Sequence, residues 1–168
     1  MDNILLLERI EEAKTAVFQK PEETMPEKLA AYLDAKQIKT YTHQAEAYDM
    51  VSRGENIIVT TPTASGKTLS CLLPVFAKLL ENPDAAALLI YPTKALTRDQ
   101  LLTIQEMDSL LQAKTRPAIY DGDTKQEARA RIRTRSRIIL TNMYELHHIL
   151  PWRAKWGDFF ANLSFVVI

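Results

Sequence analysis

Ile57-Ile58-Val59-Thr60 leads directly into Thr61-Pro62-Thr63-Ala64-Ser65-Gly66-Lys67-Thr68, and this stretch decides the fold. The first four residues are a short apolar, β-branched run, which predicts a buried strand. The next eight form a loop ending in Gly-Lys-Thr, and a helix is expected to open near Gly66. A strand, a loop with that ending and a helix together make a phosphate cradle. Loop N–H groups wrap the phosphates, and the positive end of the helix faces them. Gly66 lets the backbone come close, Lys67 reaches the β- and γ-phosphates, and the Thr68 hydroxyl is a ligand for Mg²⁺. The expected ligand is therefore ATP with Mg²⁺. The first glycine of the usual pattern is replaced by Thr61, so an ordinary strand-to-helix turn is the competing reading.

Working outward, the chain alternates. Strands are expected at Ala87-Leu88-Leu89-Ile90-Tyr91, at 117–120, at Ile138-Ile139-Leu140 and at Phe165-Val166-Val167-Ile168. Helices are expected at 94–112, 125–134, 143–149 and 155–161, with Leu96, Leu101, Ile104, Met107 and Leu111 of the first turned to the core. Pro74 should kink or reset the helix that follows the loop. Alternating β and α with doubly apolar strands predicts an α/β fold of the P-loop NTPase kind: a parallel sheet flanked by helices, with ligands at the C-terminal strand ends. Before the loop, helical periodicity at Leu6, Ile10, Ala13 and Val17 suggests a helix over 3–19. Further helices are expected at 28–35 and 42–52, so residues 1–36 read as a helical extension of the main domain.

The 168 residues suffice for one domain with a core, and a 46% hydrophobic, 25% charged composition is that of a globular protein rather than a disordered one. No apolar run approaches the roughly 20 residues needed to span a bilayer, which suggests a cytoplasmic protein with no membrane partner. The lone Cys71 agrees with a reducing compartment, and one Cys with three His disfavours structural zinc. Lys plus Arg balances Asp plus Glu at 21 each, so net charge alone does not point to nucleic acid. A local basic run does occur, with six basic residues and one acidic residue (Glu127) from Lys125 to Arg137. Composition favours a solvated helix face there.

Tyr91-Pro92-Thr93-Lys94-Ala95-Leu96, taken with Thr61 to Thr68, resembles motifs I and Ia of superfamily 2 helicases of the DEAD/DEAH-box type. In that family the first loop glycine is often replaced. Tyr41-Thr42-His43-Gln44 is similar to the Q motif that precedes the loop. Tyr120-Asp121-Gly122-Asp123-Thr124, the Arg129 to Arg137 segment, Ile149-Leu150-Pro151-Trp152 and Asn162 to Ile168 look like the bacterial mitomycin-repair DNA helicase group and its fungal relatives, which are ATP-driven 3′-to-5′ translocases. The resemblance covers roughly 38–168. It implies a RecA-like first helicase domain from residue 37, with single-stranded DNA as partner and a role in DNA repair.

The same resemblance assigns roles. Gln44 would bond the adenine edge, and without the family it would be an exposed helix glutamine. Pro92, Thr93 and Lys94 would touch the DNA phosphate backbone, although a Thr at that position is equally an N-cap. Asp121, Gly122 and Asp123 would lie along the same path, against the reading of an ordinary turn. Thr141 would contact a DNA phosphate. Departures are also visible. Thr141-Asn142-Met143 lacks the family's proline. The aromatic residue expected upstream of Gln44 is not evident, since Glu27 lies there. In the family the last strand runs into Asp-Glu-x-His, and the sequence stops one residue short of it. The expectation is an incomplete first helicase domain, inactive alone, with a second RecA-like domain expected in cis. A non-catalytic nucleotide- or nucleic-acid-binding remnant is the alternative, and a small P-loop kinase suits the Pro92-Thr93 loop less well.

Overall fold

The computed structural model describes residues 16–60 and 66–168. Residues 3–15 of the expected first helix, and Thr61 to Ser65 of the loop, lie outside the described residues.

Four parallel strands form the sheet, in the order β2-β3-β1-β4: β1 (Ala86–Ile90), β2 (Ala118–Ile119), β3 (Ile138–Thr141) and β4 (Leu163–Val167). The period of two divides the strands between two cores. Ala87, Leu89, Ile138 and Leu140 enter one, with Leu29, Leu33, Tyr48, Leu72, Phe76, Ile104 and Met107. Ala86, Leu88, Ile90 and Ile139 enter the other, with Tyr120, Ile149, Trp156 and Phe159. The first core is covered by α1 (Glu27–Ala35), α2 (Thr42–Ser52), α3 (Lys67–Glu81) and α4 (Lys94–Leu111). Over the second lie α5 (Gln126–Arg135), α6 (Met143–Ile149), a 3-10 segment (Leu150–Trp156) and α7 (Gly157–Ala161). Strands β1 and β3 are buried throughout, as doubly covered parallel strands should be.

Several expectations need correction. Residues 57–60 form no strand, and Ile58 is 90% exposed. A β-branched run becomes a strand only through a neighbour's N–H and C=O groups, and among the described residues none pairs with it. Residues 16–19 are not helical. Phe18 makes an antiparallel bridge to Tyr41, the Gln19 N–H donates to the Thr40 carbonyl at 3.0 Å, and the Thr42 N–H donates to the Val17 carbonyl at 3.1 Å. Val17, the one residue of that apolar spacing that is described, serves this strap through its carbonyl. The Asp49 carboxylate then accepts the Glu22 and Glu23 N–H groups at 2.9–3.0 Å, fastening the strap to α2. Pro74 does not reset its helix, because α3 runs through it with Leu72, Leu73, Val75 and Phe76 buried around it. Burial on that scale outweighs one lost backbone bond. In α4, Ile104, Met107 and Leu111 are buried, but Leu96 in the first turn is 38% exposed.

Candidate functional site

The loop's last glycine, Gly66, sits at φ +75° immediately before Lys67 opens the fifteen-residue α3. Gln44 holds it there. Its side-chain Nε2 donates to the Gly66 carbonyl at 3.0 Å, while Oε1 accepts the Tyr41 N–H at 2.9 Å and closes a capping box on α2. Gln44 is only 2% exposed, so the exposed-helix-glutamine reading fails. Two of its bonding positions are spent inside the chain, leaving one N–H and one lone pair. Beside it Tyr41 stacks on Phe18 (centroids 5.1 Å apart, planes at 18°) and on His43 (5.7 Å, 9°). Phe18 is half exposed. Reading a helix through 3–19 hid this aromatic; the signal available was a Phe three residues before the helix-breaking Pro21. No acidic residue occupies the first turn of α3, so nothing there offsets its positive end, and Lys67 and Thr68 are half-buried at that end.

A second group gathers at the C-terminal strand ends. Pro92, Thr93 and Lys94 are exposed after β1. Thr93 is the N-cap of α4, its Oγ1 accepting the Leu96 N–H at 3.2 Å, so the capping role is real whatever else the residue does. After β2, Asp121 is buried, and its carboxylate accepts the Asp123 N–H at 2.9 Å and the Thr124 hydroxyl at 3.2 Å. Asp121 therefore builds the turn, while Gly122 and Asp123 present its outer surface. Asp123 reaches across to Lys94 (2.7 Å) and Arg98 (3.3 Å), joining the two loops. The Lys94 ammonium holds the Asp123 carboxyl below its ordinary range, and Asp123 raises Lys94 in return. Arg98 was not singled out from sequence, because an arginine one turn into a helix carries no signal until the facing loop is placed.

Thr141 is placed differently from expectation. It is fully buried at the end of β3, and its hydroxyl donates to the Tyr120 carbonyl at 2.7 Å. This takes its side chain out of reach of a phosphate in solution and makes it a staple between β3 and β2. The exposed positions after it are Met143 and Tyr144, in the first turn of an α6 that is capped by Asn142.

The family model of DEAD/DEAH box helicases matches residues 41–168. An uncharacterised ATP-dependent helicase, YprA of Bacillus subtilis, is 38% identical over 171 residues, covering 99% of this chain and 22% of that protein. ATP-dependent helicase HRQ1 of Saccharomyces cerevisiae is 40% identical over 131 residues, covering 76% of this chain and 12% of its own length. Among solved structures, the crystal structure of DUF1998 helicase MrfA bound to DNA and AMPPNP superposes with a TM-score of 0.87 at 37% identity, covering 91% of this chain and 22% of that one. The chain thus spans about a fifth or less of the length of these relatives.

Proposed function

The chain belongs to the DEAD/DEAH box helicase family, with the fold of the first RecA-like helicase domain, and on that premise we propose that it is the ATP-binding part of a DNA helicase that couples ATP hydrolysis to movement along single-stranded DNA in repair. Residues 37–168 would be the nucleotide-binding domain, and residues 1–36 would precede it. A second RecA-like domain in the same polypeptide would close over the nucleotide and supply the arginines that stabilise the transferring phosphate. A cytoplasmic location is part of this proposal; among the described residues no helix is long and apolar enough to cross a membrane.

The observation that carries this reading is the bond from Gln44 to the Gly66 carbonyl, which pins the close-approach glycine at the head of α3. The residues around it fit Mg²⁺–ATP. Thr61 to Gly66 would wrap the phosphates with backbone N–H groups, Lys67 would meet the β- and γ-phosphates, and Thr68 would ligate the metal. The remaining amide capacity of Gln44 would read the adenine edge, with the Phe18–Tyr41 stack beside it. DNA phosphates would run over Pro92, Thr93 and Lys94 and past Gly122 and Asp123. Binding of a fluorescent ATP analogue with magnesium tests the nucleotide half. Lys67→Ala should weaken it by about tenfold or more, in line with the loss of a charge-assisted contact. Equal affinity in the two proteins would overturn the phosphate assignment.

A further inference from the structure

Behind the Asp121 turn, the basic helix α5 leans over a cavity of about 270 Å³ walled by Tyr120, Arg133, Glu145, Trp152, Lys155 and Trp156. Helix α5 has no fully buried residue, yet its arginines are not equivalent. Arg131 and Arg135 face solvent, whereas Arg129 and Arg133, one turn apart, are half-buried against the cavity. Arg129 is committed. It pairs with the buried Glu145 carboxylate at 3.0 Å and donates to the carbonyls of Asp121 (2.8 Å) and Thr124 (3.1 Å). Arg133 donates to the Tyr120 hydroxyl at 3.2 Å, with its guanidinium 6.0 Å above the Trp156 ring. The Lys155 ammonium stands 4.9 Å above the Trp152 ring. Among the described residues no carboxylate lies within 4 Å of Arg133 or Lys155, so the cavity keeps two cations after its one carboxylate is neutralised.

The two tryptophans also differ. Trp156 is buried, edge-on to Tyr120 at 4.6 Å, and belongs to the core. Trp152 is 63% exposed, at the point where the 3-10 segment departs from helical geometry. Packing accounts for the first and not for the second. An exposed indole beside cations with no acidic partner suits a base stacked on a ring with its phosphate on the cations. The volume lies just below the range of drug-sized sites and suits one nucleotide. Arg129 joins the cavity wall to the turn at 121–124, which continues the strand-end surface assigned above to DNA.

We propose that this pocket holds one nucleotide of single-stranded DNA, its base stacked on Trp152 and a neighbouring phosphate on Arg133 and Lys155. The proposal rests on the single-stranded-DNA reading of the strand-end loops and extends it to a face that reading does not use. Trp152 and Trp156 are the only tryptophans in the chain, so intrinsic indole emission reports on this pocket alone. Titration of the full chain with an oligo-dT strand should quench that emission saturably, while dTMP at equal nucleotide concentration should not. By anisotropy of a labelled strand, Trp152→Leu should bind about tenfold more weakly and Trp152→Phe close to wild type. The double variant Arg133→Gln, Lys155→Gln should reduce the salt dependence of binding by about one to two released counterions. If the strand binds, Lys94→Ala weakens it, and both the emission and the Trp152→Leu affinity stay unchanged, the pocket is refuted and the strand-end reading stands. Quenching by dTMP as strong as by the strand would make it a mononucleotide site and overturn the proposal. No binding by any version overturns the DNA reading and the pocket together.

Discussion

A β-carbon built on Gly66 meets Gln44 Nε2 at 2.5 Å, and the residue's φ of +75° is in the left-handed region. Gly54 has φ +85° and nothing within 4 Å of the same added atom. The pair separates two costs. Gly54→Ala should lose only the backbone strain, about 1 kcal/mol, whereas Gly66→Ala should lose that and also push Gln44 off the Gly66 carbonyl, costing about 2–3 kcal/mol in all. Thermal or denaturant unfolding of the two variants checks this, and equal losses would show that Gln44 moves aside freely. A second single-residue prediction concerns Asp123. Its carboxylate pairs with the Lys94 and Arg98 cations that a DNA phosphate would need, so on the proposed reading it would compete with that ligand. Asp123→Asn should therefore strengthen single-strand binding about two- to fivefold at low salt and make it more salt-sensitive, as exposed ion pairs of this kind are weak and screened. Anisotropy titrations at two salt concentrations would measure both effects; weaker binding would place Asp123 among the supporting contacts instead.

Between elements, Arg137 joins three pieces. It stands just before β3 and donates to the carbonyls of Leu79 and Asn82 at the end of α3 and to that of Ala85 before β1. Partial burial pulls its guanidinium somewhat below its usual pKa, while Asp84 and Asp108 act in the other direction. Arg137→Ala should leave those carbonyls unpaired and cost about 2–3 kcal/mol, visible as a lower denaturation midpoint with an unchanged denaturant slope. Arg137→Lys should recover little of this, because one ammonium cannot match the fork. The same scale explains what was legible in the sequence. The elements at 86–90, 94–111, 138–141 and 143–149 were legible because composition agrees with burial at each, whereas 126–135, which buries no residue fully, was legible as a run of helix formers between a turn and a strand. The runs at 16–19 and 57–60 were not, because both depend on a partner chosen by the fold. Val17 sits at helical spacing, but it and Phe18 pair with Thr42 and Tyr41, and Ile57 to Thr60 have strand composition without a ladder partner among the described residues. Candidate site residues followed the same rule. The turn at Gly66 and the helix start at Lys67 were readable from local pattern, while the placement of Phe18, Arg98 and the inward half of α5 emerged only once distant segments were placed.

Taken as a whole molecule, the two sheet faces gather different groups. The face under α1 to α4 brings Gln44, Gly66 and Lys67 together, while the strand ends and the other face gather the cations and exposed rings. On the proposed reading both assemblies would bind, and hydrolysis would need a further group that makes water attack. Phosphate hydrolysis in P-loop enzymes needs a carboxylate on the metal, a residue to orient the water, and positive charge at the transferring phosphate. These 168 residues contain no adjacent Asp-Glu pair. An arginine finger alone is worth about 10³–10⁵ in kcat. The 168-residue chain should therefore bind Mg²⁺–ATP weakly and release phosphate at the no-enzyme background, with or without oligo-dT. A sensitive phosphate-release assay on pure protein, run beside Lys67→Ala, decides the point. A DNA-stimulated rate that Lys67→Ala abolishes would mean that a carboxylate within these residues serves the metal and that binding and chemistry are not separate.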